Sequence, residues 1–272
     1  MTSPSGLTRR SVFLAAPLAL AGGAAAAQGM MDHVDLAAPR MSAAELSRAD
    51  LERLIAAKAP DTALDLRDRS LNGLDLSGLD LSGADLRWAR LNRARLVGTR
   101  LDRARLDLAW ALAADLGDAS LVGASLVQAQ CARARLDRAD LSAARITASF
   151  DGASLVEARL AGAEGAADMR NQSMGLMRAS FRSARLERAD LRGARLARAD
   201  LEFAKLMGAD LTDADLSLAL LGGADLTGAV MRGTRLTGAD LDATILRQLV
   251  AADGILGLDQ ARNLDRALRD PP

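Results

Sequence analysis

The sequence predicts an all-β solenoid whose chain turns a corner every five residues around a square cross-section. Leu occupies thirteen of the sixteen positions spaced by five between Leu71 and Ile146, and twelve of fourteen between Phe181 and Leu246, so the period spans most of the chain. A small residue, usually Ala, stands two places before each of these central residues. Aromatic residues make up only 2% of the 272 residues, so Leu and Ala must fill the core.

Neither regular secondary structure explains a period of five. On an α-helix a step of five residues advances about 140° beyond a full turn, so the Leu side chains would wind around the axis. On a flat strand an odd period sends successive Leu side chains to opposite faces. A corner after each repeat solves both problems, because each side of the coil then sends one Leu and one small residue inward.

Three segments show the repeat most clearly: Ala84-Asp85-Leu86-Arg87-Trp88, Ala209-Asp210-Leu211-Thr212-Asp213 and Ala239-Asp240-Leu241-Asp242-Ala243. They match the motif A-(D/N)-L-x-x, and residues 71–248 resemble the pentapeptide-repeat family. The resemblance implies a right-handed quadrilateral β-helix with four repeats per coil. We assign residues 61–248 to this solenoid, roughly eight coils and about 40 Å long at the ordinary spacing between strands.

The first 27 residues are predicted to be a signal peptide. Arg9 and Arg10 precede an Ala- and Leu-rich stretch, and Ala25 and Ala27 fit a cleavage site before Gln28. The paired arginines resemble a twin-arginine export signal, although Val12 stands where Phe is usual. The alternatives are a Sec signal and a retained anchor. We therefore expect a periplasmic or otherwise exported protein with no transmembrane segment after removal of the signal.

Short segments are expected to cap both ends of the solenoid, because an uncapped end exposes its core and its strand edges. After a linker at residues 28–40, residues 41–60 predict a helix from about Ala43 to Ala57, with Ser42 and Glu45 as a capping box. Its predicted apolar face comprises Leu51, Leu54 and Ile55. Residues 249–272 predict a C-terminal cap with a short helix containing Leu264 and Leu268.

The register of the repeat slips twice. Ile146 and Phe150 are four residues apart, and the region 161–177 is the least repetitive part of the solenoid. The two slips cancel, so the later repeats return to the first phase. We expect a bulge or small loop at 161–177; whether it is functional or a tolerated irregularity stays open at this point.

Outward positions carry two kinds of residue. Charges alternate in columns of residues twenty apart, which predicts ladders of ion pairs between coils: Asp75, Arg95, Asp115 and Arg135, and again Arg195, Asp215 and Arg235. Apolar outward residues are rarer and form two predicted partner-binding groups. The first comprises Trp88, Leu108, Trp110 and Leu112; the second comprises Phe203, Leu218 and Leu220. The alternative for both groups is packing against a terminal segment or a second subunit.

The sequence offers no catalytic or cofactor site. His33, the single His, lies in the predicted linker, and Cys131, the single Cys, stands at a central position where it should be buried. One metal hypothesis is weak copper binding, because thioether and imidazole ligands suit Cu(I). It would involve Met30, Met31 and His33, or Met169, Met174 and Met177. Against it, Met is a common filler of gaps in cores.

The leading functional prediction is an exported, non-catalytic scaffold that presents its faces to a protein or another cell-envelope partner. Removal of the signal leaves 33 basic and 35 acidic residues, a net charge of −2, which disfavours nucleic-acid binding. The resemblance to the family implies a second hypothesis, a DNA mimic that protects a type II topoisomerase; an acidic cytoplasmic protein would suit that role better. The resemblance also implies that the terminal segments can mediate a homodimer.

Overall fold

The computed structural model describes residues 38, 42–59, 62–167 and 178–270. The predicted signal peptide with Arg9 and Arg10 lies outside this part of the chain. The described residues form a β-helical solenoid. From Asp65 onward, the residue before each central residue pairs in parallel with the residue twenty positions later, for example Asp75 with Arg95 and Arg95 with Asp115. Four such pairs per coil give it four sides, as the sequence predicts; the hand of the coil stays a prediction.

The core consists of the central residues and the small residues two places before them, and nearly all of these are fully buried. Each side ends in a tight turn, in which the amide of the next small residue donates to the central carbonyl, as from Ala94 to Leu91 at 3.0 Å. The second residue after each centre adopts a left-handed conformation, with φ near +56° at Arg93 and +67° at Gly73. We call this residue the corner residue.

We number the four faces of the solenoid by their central residues. Face 1 contains Leu71, Leu91, Ala111, Cys131, Phe150, Phe181, Leu201, Leu221 and Leu241; face 2 contains Leu76, Leu96, Leu116, Leu136, Leu155, Leu186, Leu206, Leu226 and Leu246. Face 3 contains Leu81, Leu101, Leu121, Leu141, Leu160, Leu191, Leu211 and Met231; face 4 contains Leu66, Leu86, Leu106, Leu126, Ile146, Gly165, Leu196, Leu216 and Leu236.

The N-terminal helix is shorter than predicted. Helix α1 spans Arg48–Ala57, and its capping box is formed by Ser47 and Asp50 rather than by Ser42 and Glu45. The predicted first turn is extended instead, because Ala44 pairs with Leu71 and the Glu45 amide donates to the Ser70 carbonyl at 2.8 Å. Of the predicted apolar face, Leu51 is fully buried in the core, Ile55 is half-buried and Leu54 is 42% exposed.

The predicted C-terminal helix is wrong, because the coil continues beyond residue 248 with sides of six residues. Val250, Leu256, Arg262 and Leu268 pair with Val230, Arg235, Asp240 and Ile245 of the preceding coil. Single 3-10 turns at Ala252–Gly254, Leu258–Gln260 and Leu264–Arg266 replace the tight corners. The only strands longer than one residue among the described residues are β1 (Ile245–Leu246) and β2 (Leu268–Arg269), which pair in parallel.

Both predicted slips appear in the pairing. Gln130 pairs with Ser149, a step of 19 residues, and Ser149 pairs with Ser180, a step of 31 residues. The first slip therefore shortens one corner by a residue, and the second adds eleven residues to another. The Ala179 amide donates to the Gly165 carbonyl at 2.9 Å, which is the hydrogen bond that closes every regular corner. Ala179 therefore follows Gly165 across this corner as it would in a regular corner, and the coil resumes with Phe181 on face 1.

Candidate functional site

Four of the six exposed large apolar side chains of the regular coils, Trp88, Leu108, Phe203 and Leu218, border face 1, whereas Val122 lies on face 3 and Met207 on face 2. We call the corner between faces 4 and 1 the apolar edge. Its corner residues, in order along the solenoid axis, are Asp68, Trp88, Leu108, Gln128, Arg198, Leu218 and Gly238. Because residues twenty apart stack in successive coils, side chains distant in the sequence share this edge.

The first predicted group lies at one end of the apolar edge. Trp88 is 47% exposed, Leu108 beside it in the next coil is exposed, and Trp110 is half-buried on the adjoining part of face 1. The assignment of Leu112 to this group is wrong, because its side chain is only 4% exposed. The residue directly after the centre is equally buried at Asn72 and Asn92, so this column of face 1 is covered throughout the first coils.

The second predicted group lies on the same face, several coils away. Leu218 occupies the apolar edge and Leu220 the outward position of face 1, whereas Phe203 occupies the opposite corner of that face and is 58% exposed. A Cβ atom placed on Gly223 would lie 2.7 Å from the Phe203 ring, so the ring stacks directly over this glycine. The sequence separates the two groups by more than ninety residues, and only the pairing register brings them together.

Both irregularities of the coil also fall on the apolar edge. The shortened corner lies between Ile146 and Phe150, and the thirteen-residue segment leaves between Gly165 and Ala179. Gly165 is buried at a central position, where a Cβ atom would lie 2.7 Å from the Ala179 Cβ and 2.9 Å from Leu196 Cδ2. The segment therefore leaves the coil where neighbouring side chains already fill the space of a central Leu.

The core beneath face 1 differs from the core beneath faces 2 and 3, which is almost entirely Leu. Four successive centres of face 1 are Ala111, Cys131, Phe150 and Phe181, all buried, and the rings of Phe150 and Phe181 stack with their centroids 5.1 Å apart. The sequence analysis missed this cluster, although the departures from Leu at these positions were the signal that could have revealed it.

The remaining faces carry the charge ladders that the sequence predicts. Asp75, Arg95, Asp115 and Arg135 stack on face 2, and Arg135 contacts Asp115 at 2.7 Å. On face 4, Arg235 lies 3.8 Å from Asp215. Because acids and bases offset each other along these columns, the ladders present little net charge to a partner.

No three His, Cys, Asp or Glu side chains of the described residues come together as metal ligands. Complete burial raises the pKa of Cys131 to about 12, which keeps its thiol protonated. The residues of the copper hypothesis, Met30, Met31, His33, Met169, Met174 and Met177, lie outside the described residues. None of the described helices is long and apolar enough to cross a membrane.

A family model of pentapeptide repeats matches eight copies in this chain, over residues 70–107, 114–149, 176–213 and 209–248. These matches cover more than half of the sequence. This chain belongs to the pentapeptide-repeat family. The family assignment agrees with the five-residue pairing register of the solenoid, and it confirms the resemblance seen in the motif. A search of curated proteins found no match.

Several solved structures of pentapeptide-repeat proteins are similar to the chain. HetL, involved in heterocyst differentiation regulation in the cyanobacterium Nostoc, is 28% identical, with 82% of this chain and 94% of HetL covered and a TM-score of 0.35. QnrB1, a plasmid-mediated fluoroquinolone resistance protein, is 18% identical, with 72% and 93% covered and a TM-score of 0.36. A protein of the Arabidopsis thaliana thylakoid lumen is 26% identical, with 48% and 82% covered and a TM-score of 0.17.

Proposed function

We propose that this pentapeptide-repeat protein is an exported, non-catalytic scaffold that binds a protein or another cell-envelope component through face 1 and the apolar edge. One observation carries the proposal: the exposed apolar corner side chains Trp88, Leu108, Phe203 and Leu218 all border face 1. Exposed apolar clusters mark interaction sites, and Trp is among the residues most enriched at binding hot spots.

The surface is tested by placing a photo-crosslinking amino acid at position 88, at position 218, or at position 140 on face 3 in the intact chain. We expect defined adducts of the same partner from positions 88 and 218 and no such adduct from position 140. Equal crosslinking from all three positions would contradict a specific binding face.

Export is tested separately by fractionating cells that express the full chain or the Arg9→Lys, Arg10→Lys variant. We expect the parent protein to be shortened and found outside the cytoplasm, and the variant to remain inside at full length if the twin-arginine route is used. Export of both proteins would indicate the Sec route. Retention of both at full length would overturn the proposal of export.

We also propose that a second copy associates with the C-terminal end of the solenoid. Within the described residues, the carbonyls of Leu249, Ile255, Ala261 and Ala267 accept no backbone hydrogen bond. The outward residues Val250, Leu256 and Leu268 of this last coil are about half exposed. A second copy presents the same square outline and the same free edge. Light scattering should give a dimer mass for the parent and a monomer mass for the Val250→Lys, Leu256→Lys variant; a monomeric parent would refute association.

A further inference from the structure

A shallow groove with a volume of about 680 Å³ opens at the N-terminal end of the apolar edge. Three parts of the chain line it: Glu45 from the extended segment before α1, residues of the first coil, and Trp88 from the second coil. The lining residues of the first coil are Asp65, Arg67, Asp68 and Arg69. Only the fold brings these residues together, and no single segment of the sequence contains the groove.

The charged groups around the groove form ion pairs with one another. Each of the three carboxylates lies beside a guanidinium: Asp65 and Arg67 at 2.7 Å, Asp68 and Arg90 at 2.8 Å, and Glu45 and Arg69 at 3.7 Å. Hydrogen bonds from Arg67 lower the pKa of Asp65 to about 2, so this pair stays ionised at neutral pH. A charged ligand would compete with these ion pairs, whereas a neutral one can use their remaining lone pairs and N–H groups without separating them.

Trp88 supplies the apolar part of the groove. Arg87, which does not line the groove, lies over the indole with its guanidinium carbon 5.4 Å from the ring centroid. The remaining surface of the ring is left available beside the paired charges, and the side chain is about half exposed. A flat aromatic surface next to paired donors and acceptors suits a ligand that has an apolar face and polar edges.

We propose that this groove binds a neutral saccharide. A sugar ring packs its C–H face on an aromatic ring while its hydroxyls donate and accept hydrogen bonds around the edge. Ligand sites of about 300–1,000 Å³ are typical, so the groove has room for a short oligosaccharide. The inference deepens the proposed function, because it names a ligand class for the end of the apolar edge that contains Trp88.

The test is calorimetric titration of the purified full chain with three uncharged tetrasaccharides: chitotetraose, cellotetraose and maltotetraose. We expect saturable binding of at least one of them below about 10 mM, with an affinity that changes less than about twofold between 50 and 500 mM NaCl, because a neutral ligand is not screened. Trp88→Gly should weaken this binding by about tenfold or more.

Arg103→Gly is the matched control, because it also replaces an exposed, bulky corner residue with a left-handed φ, near +56°, by glycine, and it lies at the corner between faces 3 and 4, away from face 1. Glycine adopts this conformation without strain, so both variants should fold. The control should bind the saccharide as the parent does. Failure of all three tetrasaccharides, equal affinity in Trp88→Gly and the parent, or a steep loss of binding with salt would each overturn the inference. If none of the tetrasaccharides binds but position 88 still crosslinks specifically to a partner, the saccharide inference is overturned and the proposed function stands.

Discussion

The coils before and after the inserted segment 166–178 are built from the same repeat but fill their cores differently. In the first region, residues 64–165, the face 1 centres include Ala111, Cys131 and Phe150, and the last face 4 centre is Gly165. In the second region, residues 179–248, the centres are Leu except for Phe181 at the junction and Met231. Departures from Leu are therefore concentrated beneath faces 1 and 4 of the first region and at the junction, and Met231 on face 3 is the one exception among these centres.

Despite this difference, the two regions share one pairing register. The insertion leaves at a corner, so Phe181 follows Phe150 on face 1 and every later residue keeps its face. If residues 166–178 had formed additional sides of the coil, Leu218 would lie on another edge from Trp88. The comparison shows that the position at which the insertion leaves the coil, more than its length, determines which surface residues lie on the same face or edge.

The largest expected effect is at the junction of the two regions. Phe150→Ala should lower the free energy of unfolding by about 3–5 kcal/mol, because it removes a buried ring stacked on Phe181. Urea denaturation followed by circular dichroism measures this change, with Leu201→Ala in the second region as the matched control on the same face. If the core is continuous, each variant unfolds in one transition; two separate transitions in Phe150→Ala would show that the regions fold independently.

The second prediction concerns the buried thiol of the first region. Because burial raises the pKa of Cys131 to about 12, the thiolate is scarce at pH 8 and no reagent reaches it in the folded chain. Alkylation by iodoacetamide should be at least about a hundredfold slower in the native protein than in urea. Mass spectrometry of samples quenched over time measures both rates. Rapid labelling of the native chain would show that the core beneath face 1 opens readily.

A smaller effect is expected at the base of the insertion. Gly165→Ala should cost about 1–3 kcal/mol of stability, because the added methyl group would overlap Ala179 and Leu196. Gly222→Ala in the second region is the control: the nearest atom to its added Cβ is a carbonyl oxygen 3.7 Å away, so no loss of stability is expected. Thermal unfolding of the two variants distinguishes them, and equal melting temperatures would contradict tight packing at the junction.

The smallest effect on stability is expected from substitutions in the charge ladders. Arg135→Ala removes an ion pair of 2.7 Å in the first region, and Arg235→Ala removes one of 3.8 Å in the second. Both pairs are partly exposed to solvent, so each substitution should cost less than about 1 kcal/mol, with the larger loss for Arg135. Denaturant titrations at low and high salt provide the measurement. A loss that persists in 1 M NaCl would contradict a screened surface interaction.

The sequence predicts the regular part of this fold well, because a period of five with Leu and Ala inside has no other regular solution. It predicts both register slips and the return to the first phase, and the pairing of Ser149 with Ser180 adds that the coil resumes on face 1 after the insertion. The last coil, whose sides have six residues each, was missed because its spacing of six has only a weak signal in the sequence. In the structure Ala251, Gly257 and Asn263, six positions apart, adopt the left-handed conformation, but only Gly257 and Asn263 are residue types that favour it.

The candidate site was predictable in part. The sequence alone identifies Trp88, Leu108, Phe203 and Leu218, because each is a bulky apolar residue at an outward position of the repeat. The error at Leu112 arose because the repeat alone does not show that its column on face 1 is covered. The groove at Trp88 could not be predicted from the sequence, because it forms only when the extended segment with Glu45 lies against the first coil.

The central claim, that the insertion leaves at the apolar edge and preserves the faces, is tested most directly by a disulfide between adjacent coils. Ser149 and Ser180 pair across the insertion, and both side chains are half-buried at outward positions of face 1. Neighbouring parallel strands lie about 4.8 Å apart, within the range that a disulfide spans. In the Ser149→Cys, Ser180→Cys variant, mild oxidation should link the two cysteines within one folded chain, as read by mass spectrometry of its peptides. Failure to form this bond in a folded variant would contradict the register and separate the two apolar groups.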